Sequence, residues 1–182
     1  VMMPFTFTSG DLGSYSNFGD LTMLLDYEIY RKDDYAHSLV FGGKLASSGA
    51  NNNNYEDGRP LPMVYQSSNG TDDLIALYAV SFGEWAVSLG YQHVLNDTEN
   101  SFLPTATSTD DEYSDLILTY QPSNMMRRGN DVMLKVEKYF LTDSDWKFKG
   151  GILPVYRLQE TEYENAEGER VSLQGSDGLT FN

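Results

Sequence analysis

The sequence predicts an all-β fold: an antiparallel, up-and-down transmembrane β-barrel. Three observations predict it. Successive runs alternate large apolar residues with small or polar ones, the period-2 pattern of a strand with one apolar and one mixed face. Short and long connections alternate along the chain. Aromatic residues sit beside the short connections, as they do at the interfaces of membrane barrels. The clearest run is 85–95, WAVSLGYQHVL. Trp85, Val87, Leu89, Tyr91, His93 and Leu95 share one parity, and Ala86, Ser88, Gly90, Gln92 and Val94 share the other. Just upstream, 73–82 (DLIALYAVSF) groups Leu74, Ala76, Tyr78, Val80 and Phe82. Only Gly83-Glu84 separates the two runs, and two residues with Gly first suit a type II′ hairpin turn.

Composition narrows the class. A chain of 182 residues suits one domain. Hydrophobic content is 40% and mean hydropathy is −0.43. No run approaches the ~18–20 apolar residues of a membrane helix, which leaves a barrel open, because barrel strands alternate. Tyr occurs 13 times and Cys not at all, so disulfide scaffolds and thiolate metal sites are excluded. The net charge of −15 argues against nucleic acid, whose phosphates need a basic face, and against simple adsorption to anionic headgroups. Val1-Met-Met-Pro4 has neither the basic nor the apolar region of a signal peptide.

Taken in order, residues 2–8 read as the tail of a strand and 9–18 as a Gly/Ser/Asn-rich loop. Residues 19–31 alternate Leu21, Met23, Leu25, Tyr27 and Ile29 against Thr22, Leu24, Asp26, Glu28 and Tyr30. After the turn at 32–35, residues 36–47 return with Leu39, Phe41, Gly43 and Leu45 opposite Ser38, Val40, Gly42 and Lys44. Residues 48–71 form a long polar loop with turn signals at Asp57-Gly58 and Asn69-Gly70. Beyond the central hairpin, 96–130 reads as one long external loop in which 112–121 (EYSDLILTYQ) is a strand-like extension. Residues 131–141 alternate Val132, Leu134 and Val136 against Met133, Lys135 and Glu137. A turn at 142–145 leads to 146–158, where Trp146, Phe148, Ile152 and Tyr156 oppose Lys147, Lys149 and Arg157. Residues 159–176 read as a charged loop, and a last strand begins at Leu179. The chain starts and stops within strand-like runs, so the single barrel domain over 1–182 is expected to be incomplete at both ends.

Short connections thus fall at 32–35, 83–84 and 142–145, and long ones at 9–18, 48–71, 96–130 and 159–176. Treating 112–121 as an extension within its loop keeps this alternation unbroken. A full membrane strand there would put the loop at 159–176 on the side of the short turns. The extension reading gives six complete spanning strands: 19–31, 36–47, 73–82, 85–95, 131–141 and 146–158. Mid-strand glycines (Gly42-Gly43, Gly90, Gly150-Gly151) suit bends in a curving sheet.

Residues 73–100 and 131–164 resemble Gram-negative outer-membrane β-barrel proteins of the transporter type, in which a G-[DE]-W turn precedes a Leu/Gly/Tyr-rich strand and an acidic loop. The resemblance covers most of the chain through degenerate patterns. It implies a barrel in the outer membrane of the cell envelope and carries no catalytic residues. The chain departs from the pattern in its insertion around 101–130. A soluble antiparallel sandwich or lectin-like domain also alternates, but one-sided loop lengths and aromatics at the short turns favour the membrane barrel.

The charges sort by parity. Asp26, Glu28, Lys44, Lys135, Glu137, Lys147, Lys149 and Arg157 all lie opposite the apolar set, as a lumen-facing position requires, because Lys or Arg facing lipid at midplane costs roughly 2–4 kcal/mol. They either line a conducting lumen or pair across the interior and fill it, as in small barrels; pairing is favoured. Lys138 shares the apolar parity and is placed to snorkel from the strand end.

Catalysis is not expected. His37 and His93 fall in the apolar parity, and there is no phosphate loop, His-based metal spacing or nucleophile elbow. No cofactor and no bound metal are expected. The acidic clusters at 72–73, 97–99, 110–112 and 160–169 read mainly as solvated loop surface. Divalent cations bridging to lipopolysaccharide are the alternative there. Asn69-Gly-Thr71 and Asn96-Asp-Thr98 match the glycosylation sequon, which matters only in a eukaryotic secreted protein. Three functions are carried forward: a passive transporter or porin-like channel; an accessory barrel anchoring external loops to protein partners in a membrane complex; and a soluble β-sandwich binding domain.

Overall fold

The computed structural model describes residues 1–53, 58–104, 112–140 and 148–181. In chain order the strands are β1 (Phe5–Gly10), β2 (Gly13–Phe18), β3 (Leu21–Lys32), β4 (Tyr35–Leu45), β5 (Asp73–Phe82), β6 (Trp85–Val94), β7 (Asp131–Phe140), β8 (Phe148–Ile152), β9 (Pro154–Arg157), β10 (Thr161–Glu164), β11 (Arg170–Leu173) and β12 (Gly178–Phe181). A helix, α1 (Glu112–Ile117), and a 3-10 turn at Met63–Tyr65 lie in the long connections. The fold is all-β and antiparallel. The main sheet has the order β12-β9-β7-β6-β5-β4-β3, with β8 also paired to β7. From β3 to β7 each strand pairs with the next in sequence, the up-and-down arrangement that the alternation implies.

Among the described residues the sheet does not close into a barrel. Its edges are β3 and β12. Six antiparallel steps separate them, so they run in the same direction. Joining them directly would set two parallel strands side by side in an otherwise antiparallel sheet. At one end of the sheet lie the tight turns, and at the other all the long connections. Asp33 and Gly83 take positive φ, 50° and 54°, which two-residue hairpin loops require. The expected turn at 142–145, with Trp146 and Lys147, lies outside the described residues.

Four segments differ from their sequence reading. Residues 13–18 are a strand, not loop: Tyr15 and Phe18 punctuate a Ser/Asn run whose hydroxyls still pair across the hairpin, Ser9 to Ser14 at 2.8 Å. The run 112–121 starts as helix α1, not as a strand, because its Leu116, Ile117 and Tyr120 converge on an apolar cluster that an extended chain would split. Within the run 146–158, the described residues from Phe148 on form two strands broken at Leu153, where Pro154 supplies no amide donor. The charged loop 159–176 carries the hairpin β10–β11, registered from Thr161↔Leu173 to Glu164↔Arg170.

Gly42 sets how closely β3 and β4 approach. A Cβ there would lie 1.9 Å from the Met23 carbonyl oxygen. Gly42→Ala is therefore expected to force the ladder apart and cost about 1–3 kcal/mol, read as a lower denaturant midpoint. Gly150→Ala, whose added methyl meets only a Phe140 ring atom at 3.6 Å, should leave the midpoint in place.

Candidate functional site

Register sorts the sheet into two faces. One carries rows of apolar and aromatic residues: Leu25, Phe41, Ala76, Tyr91, Val132, Tyr156 and Leu179 form one row, and Tyr27, Leu39, Tyr78, Leu89 and Leu134 the next. Nine of these twelve side chains are exposed, with Leu25 71%, Tyr27 66% and Leu89 58% open, and Leu39, Ala76 and Val132 are half-buried. Among the described residues no second sheet packs on them. A bulge at Ile29 transfers Tyr30 from its expected polar parity to this face, beside His37. At the turn end Lys138 Nζ lies 5.3 Å from the Trp85 ring centroid and 3.9 Å from the Glu84 carboxylate. Both histidines are on this face. His37 Nδ1 shares a hydrogen bond with the Tyr78 hydroxyl, and His93 bonds Asn130 at 3.0 Å.

The opposite face carries the charges. Asp26, Glu28, Lys44, Lys135, Glu137, Lys149 and Arg157 are all on it; Lys147 lies outside the described residues. Towards the turn end the face is a hollow of about 700 Å³. Its floor is small, with Ala36, Ser38, Ala79, Ser81, Ala86 and Ser88 on three adjacent strands, and Asp26, Glu28, Lys135 and Glu137 rise at its sides. Here Glu137 accepts Lys135 at 2.9 Å and Lys149 at 3.2 Å, and Glu28 pairs Arg31 at 2.5 Å. Asp26 makes no ion pair among the described residues.

At the loop end the same face is covered, and its charges form one buried network. Lys44 Nζ reaches Asp73 at 2.9 Å and Asp20 at 3.4 Å. Arg128 Nη2 reaches Asp73 at 3.2 Å and Asp131 at 3.7 Å, and Arg157 Nε reaches Asp131 at 3.1 Å. Gln92 Nε2 donates to the same Asp73 oxygen at 2.5 Å, and Ser68 Oγ donates to Asp20. The Asp73 side chain is 0% exposed. Lys44, Arg128 and Arg157 balance Asp20, Asp73 and Asp131, so the group is neutral as a whole, which is what allows charges to be buried at all. Lys44 and Arg157, expected along a lumen, are thus drawn into this network, while Lys135, Glu137, Asp26 and Glu28 border the open hollow.

The cover is a cap with its own core. Leu12, Leu61, Tyr65, Phe102 and Ile117 are buried together, with Leu116 and Tyr120 against them. They come from the β1–β2 turn and the two long connections 46–72 and 95–130. The Tyr65 and Tyr120 hydroxyls bond at 3.2 Å, and Asn100 Nδ2 donates to the Ala50 carbonyl at 2.8 Å. The β10–β11 hairpin is stitched on by the Arg127–Glu162 backbone bridge and by Asp97, which binds Arg127 at 2.8 Å and also Arg170. Asp97 holds the Arg127 guanidinium above its ordinary pKa through that hydrogen bond. The acidic stretch at 97 is therefore engaged by arginines, and among the described residues no three His, Asp or Glu side chains gather as a metal site would need.

Tyr120 is pushed up to about 12, first by its hydrogen bond to Tyr65 and then by burial. The folded value lies above the unfolded one of about 10. The stabilisation is therefore whole below pH 10 and is lost as pH rises through 10 to about 12. Cap opening, followed as loss of amide protection relative to the intrinsic rate at 100–103 and 115–120, should rise over that window in the native protein. In Tyr120→Phe the rise attributable to this hydroxyl should vanish.

Sequence reasoning did not find Asp20, Arg128 or Asp131, and it placed Asp73 with Asp72 on solvated loop surface, whereas two cations and Gln92 hold the Asp73 side chain fully buried. One signal was present: Asp73 and Asp131 each open a strand in the parity opposite its apolar residues. No protein-family model matches the chain, and no curated protein matches it.

Proposed function

We propose that this chain forms wall and external cap of an outer-membrane β-barrel, a passive transporter or porin-like channel whose solute moves along the charged face. One observation carries the reading: large apolar side chains of the sheet lie exposed on one face, while its charges, save Lys32 and Lys138 at the turn end, lie on the other. In water so large an open apolar patch is a liability; against lipid it is the expected surface. Strands β3 to β7 are 10 to 12 residues long, against the ~9–11 needed to cross with tilt. The reading also demands closure, since unpaired backbone groups in lipid cost several kcal/mol each. Because β3 and β12 run the same way, an all-antiparallel closure takes an odd number of further strands between them.

A second reading, the accessory barrel presenting loops to a partner complex, is favoured by the packed core of the cap, since a structured surface suits a protein partner. The test is electrophoresis of detergent-extracted protein, with and without boiling. A folded form that migrates faster and needs detergent supports the barrel; a soluble protein without a heat shift overturns it. Conductance in planar bilayers then separates channel from accessory barrel.

A further inference from the structure

We propose that Asp73 is the keystone of a charge latch that holds the loop cap closed over the loop end of the charged face. Asp73 is the first residue of β5, on the wall. Arg128 belongs to the connection that also supplies Phe102, Ile117 and Tyr120 to the cap. Its guanidinium crosses to the wall and lies between Asp73 on β5 and Asp131 on β7. Lys44, on β4, holds Asp73 and reaches Asp20, which precedes β3 beside the β1–β2 hairpin. Cap and wall therefore meet through a polar network rather than a shared apolar core: Arg128 on Asp73, Lys44 on Asp20 and on the Thr71 hydroxyl at 3.2 Å, and Ser68 on Asp20, with the Lys44–Asp73 pair lying within the wall itself. An apolar seam would be permanent; an ionic one can exchange its partners for water when it opens.

The closed latch also carries an internal cost. Asp73 Oδ1 and Arg128 Nε are buried and have no hydrogen-bond partner among the described residues, while Lys44, Arg128 and Gln92 all crowd onto Asp73 Oδ2. A buried donor and acceptor left unpaired penalise the closed state, and opening hydrates both. The latch is thus poised, and release at Asp73 would uncover the loop end of the face that leads to the hollow. This gating role rests on the reading of that face as a lumen; the latch itself does not.

The test uses the full chain in detergent and in bilayers, with trypsin as a reporter of the cap. Arg128 sits in the latched segment with its side chain 15% exposed, and the Arg127 backbone is paired to Glu162, so cleavage after either needs the segment to leave its place. Asp73→Asn keeps the shape and removes the charge. Cleavage after Arg127 or Arg128 is expected to rise by about tenfold or more, because cleavage follows the population of the open form. Arg128→Gln, which leaves Lys44 on Asp73, should raise cleavage after Arg127 likewise, and guards against a variant that fails to fold. Glu28→Gln, at an exposed pair remote from the cap, should leave the cleavage rate unchanged. Unchanged cleavage in both latch variants while the heat-shifted form persists overturns the latch. In bilayers, Asp73→Asn should raise the open fraction. Faster cleavage in a protein that never conducts keeps the latch and rejects the channel; faster cleavage with unchanged conductance rejects the gate.

Discussion

Leu89→Arg is expected to cost about 2–4 kcal/mol of folded stability in lipid or detergent, the penalty for Arg on the lipid face near midplane. Leu89 is the fifth of the ten residues of β6, between Tyr78 and Leu134 on the open apolar face. In a soluble protein an exposed Leu replaced by Arg changes little, within about 0.5 kcal/mol, and aids solubility. The sign and size of this one substitution therefore separate the two environments. The matched control is Ser38→Arg, on the other face directly opposite Glu28, where a cation meets a carboxylate and the hollow has room. Urea midpoints of the heat-shifted form should fall sharply for Leu89→Arg and hold for Ser38→Arg. If Leu89→Arg is neutral, or moves the protein into the soluble fraction in folded form, the apolar face does not meet lipid.

The sheet was legible because period 2 is a repeated signal. Five consecutive strands, β3 to β7, are each at least ten residues long and alternate over most of that length, and the turns at 33–34 and 83–84 are punctuated by Asp and Gly. The side of the sheet on which each charge falls followed from the same parity, with Tyr30 the exception because a bulge leaves no mark in composition. The cap was not legible for the opposite reason. Leu12, Leu61, Tyr65, Phe102 and Ile117 occur singly in polar segments, and what joins them is tertiary. The run EYSDLILTYQ fits a strand by alternation and a helix by its Leu116, Ile117 and Tyr120 spacing, and the cap core decides between them. The charge network was hidden by distance in the chain: Arg128 meets Asp73 across 55 residues, and a non-periodic segment gives no face to assign it to.

Phe102→Ala is expected to cost about 3–5 kcal/mol, as truncation of a fully packed Phe does, and to cost it in the cap alone. Phe102 is 3% exposed among Leu12, Leu61, Tyr65 and Ile117, none of which belongs to the main sheet. The cavity therefore opens in a cluster that shares no apolar residue with the wall. Proteins open locally in units set by such clusters, so amides at 61–66, 100–104 and 117–120 should lose protection in the variant. Amides in β4, β5 and β6 should keep theirs, because each of those strands is paired on both sides. Leu118→Ala, at a side chain 53% exposed, should change neither set. Equal loss of protection in cap and wall would mean one cooperative unit, and a cap that opens by itself on a charge latch would then be ruled out. Selective loss would establish the cap as the less stable of two units, which is the condition for a wall that stays shut to lipid while its loop end opens to solvent.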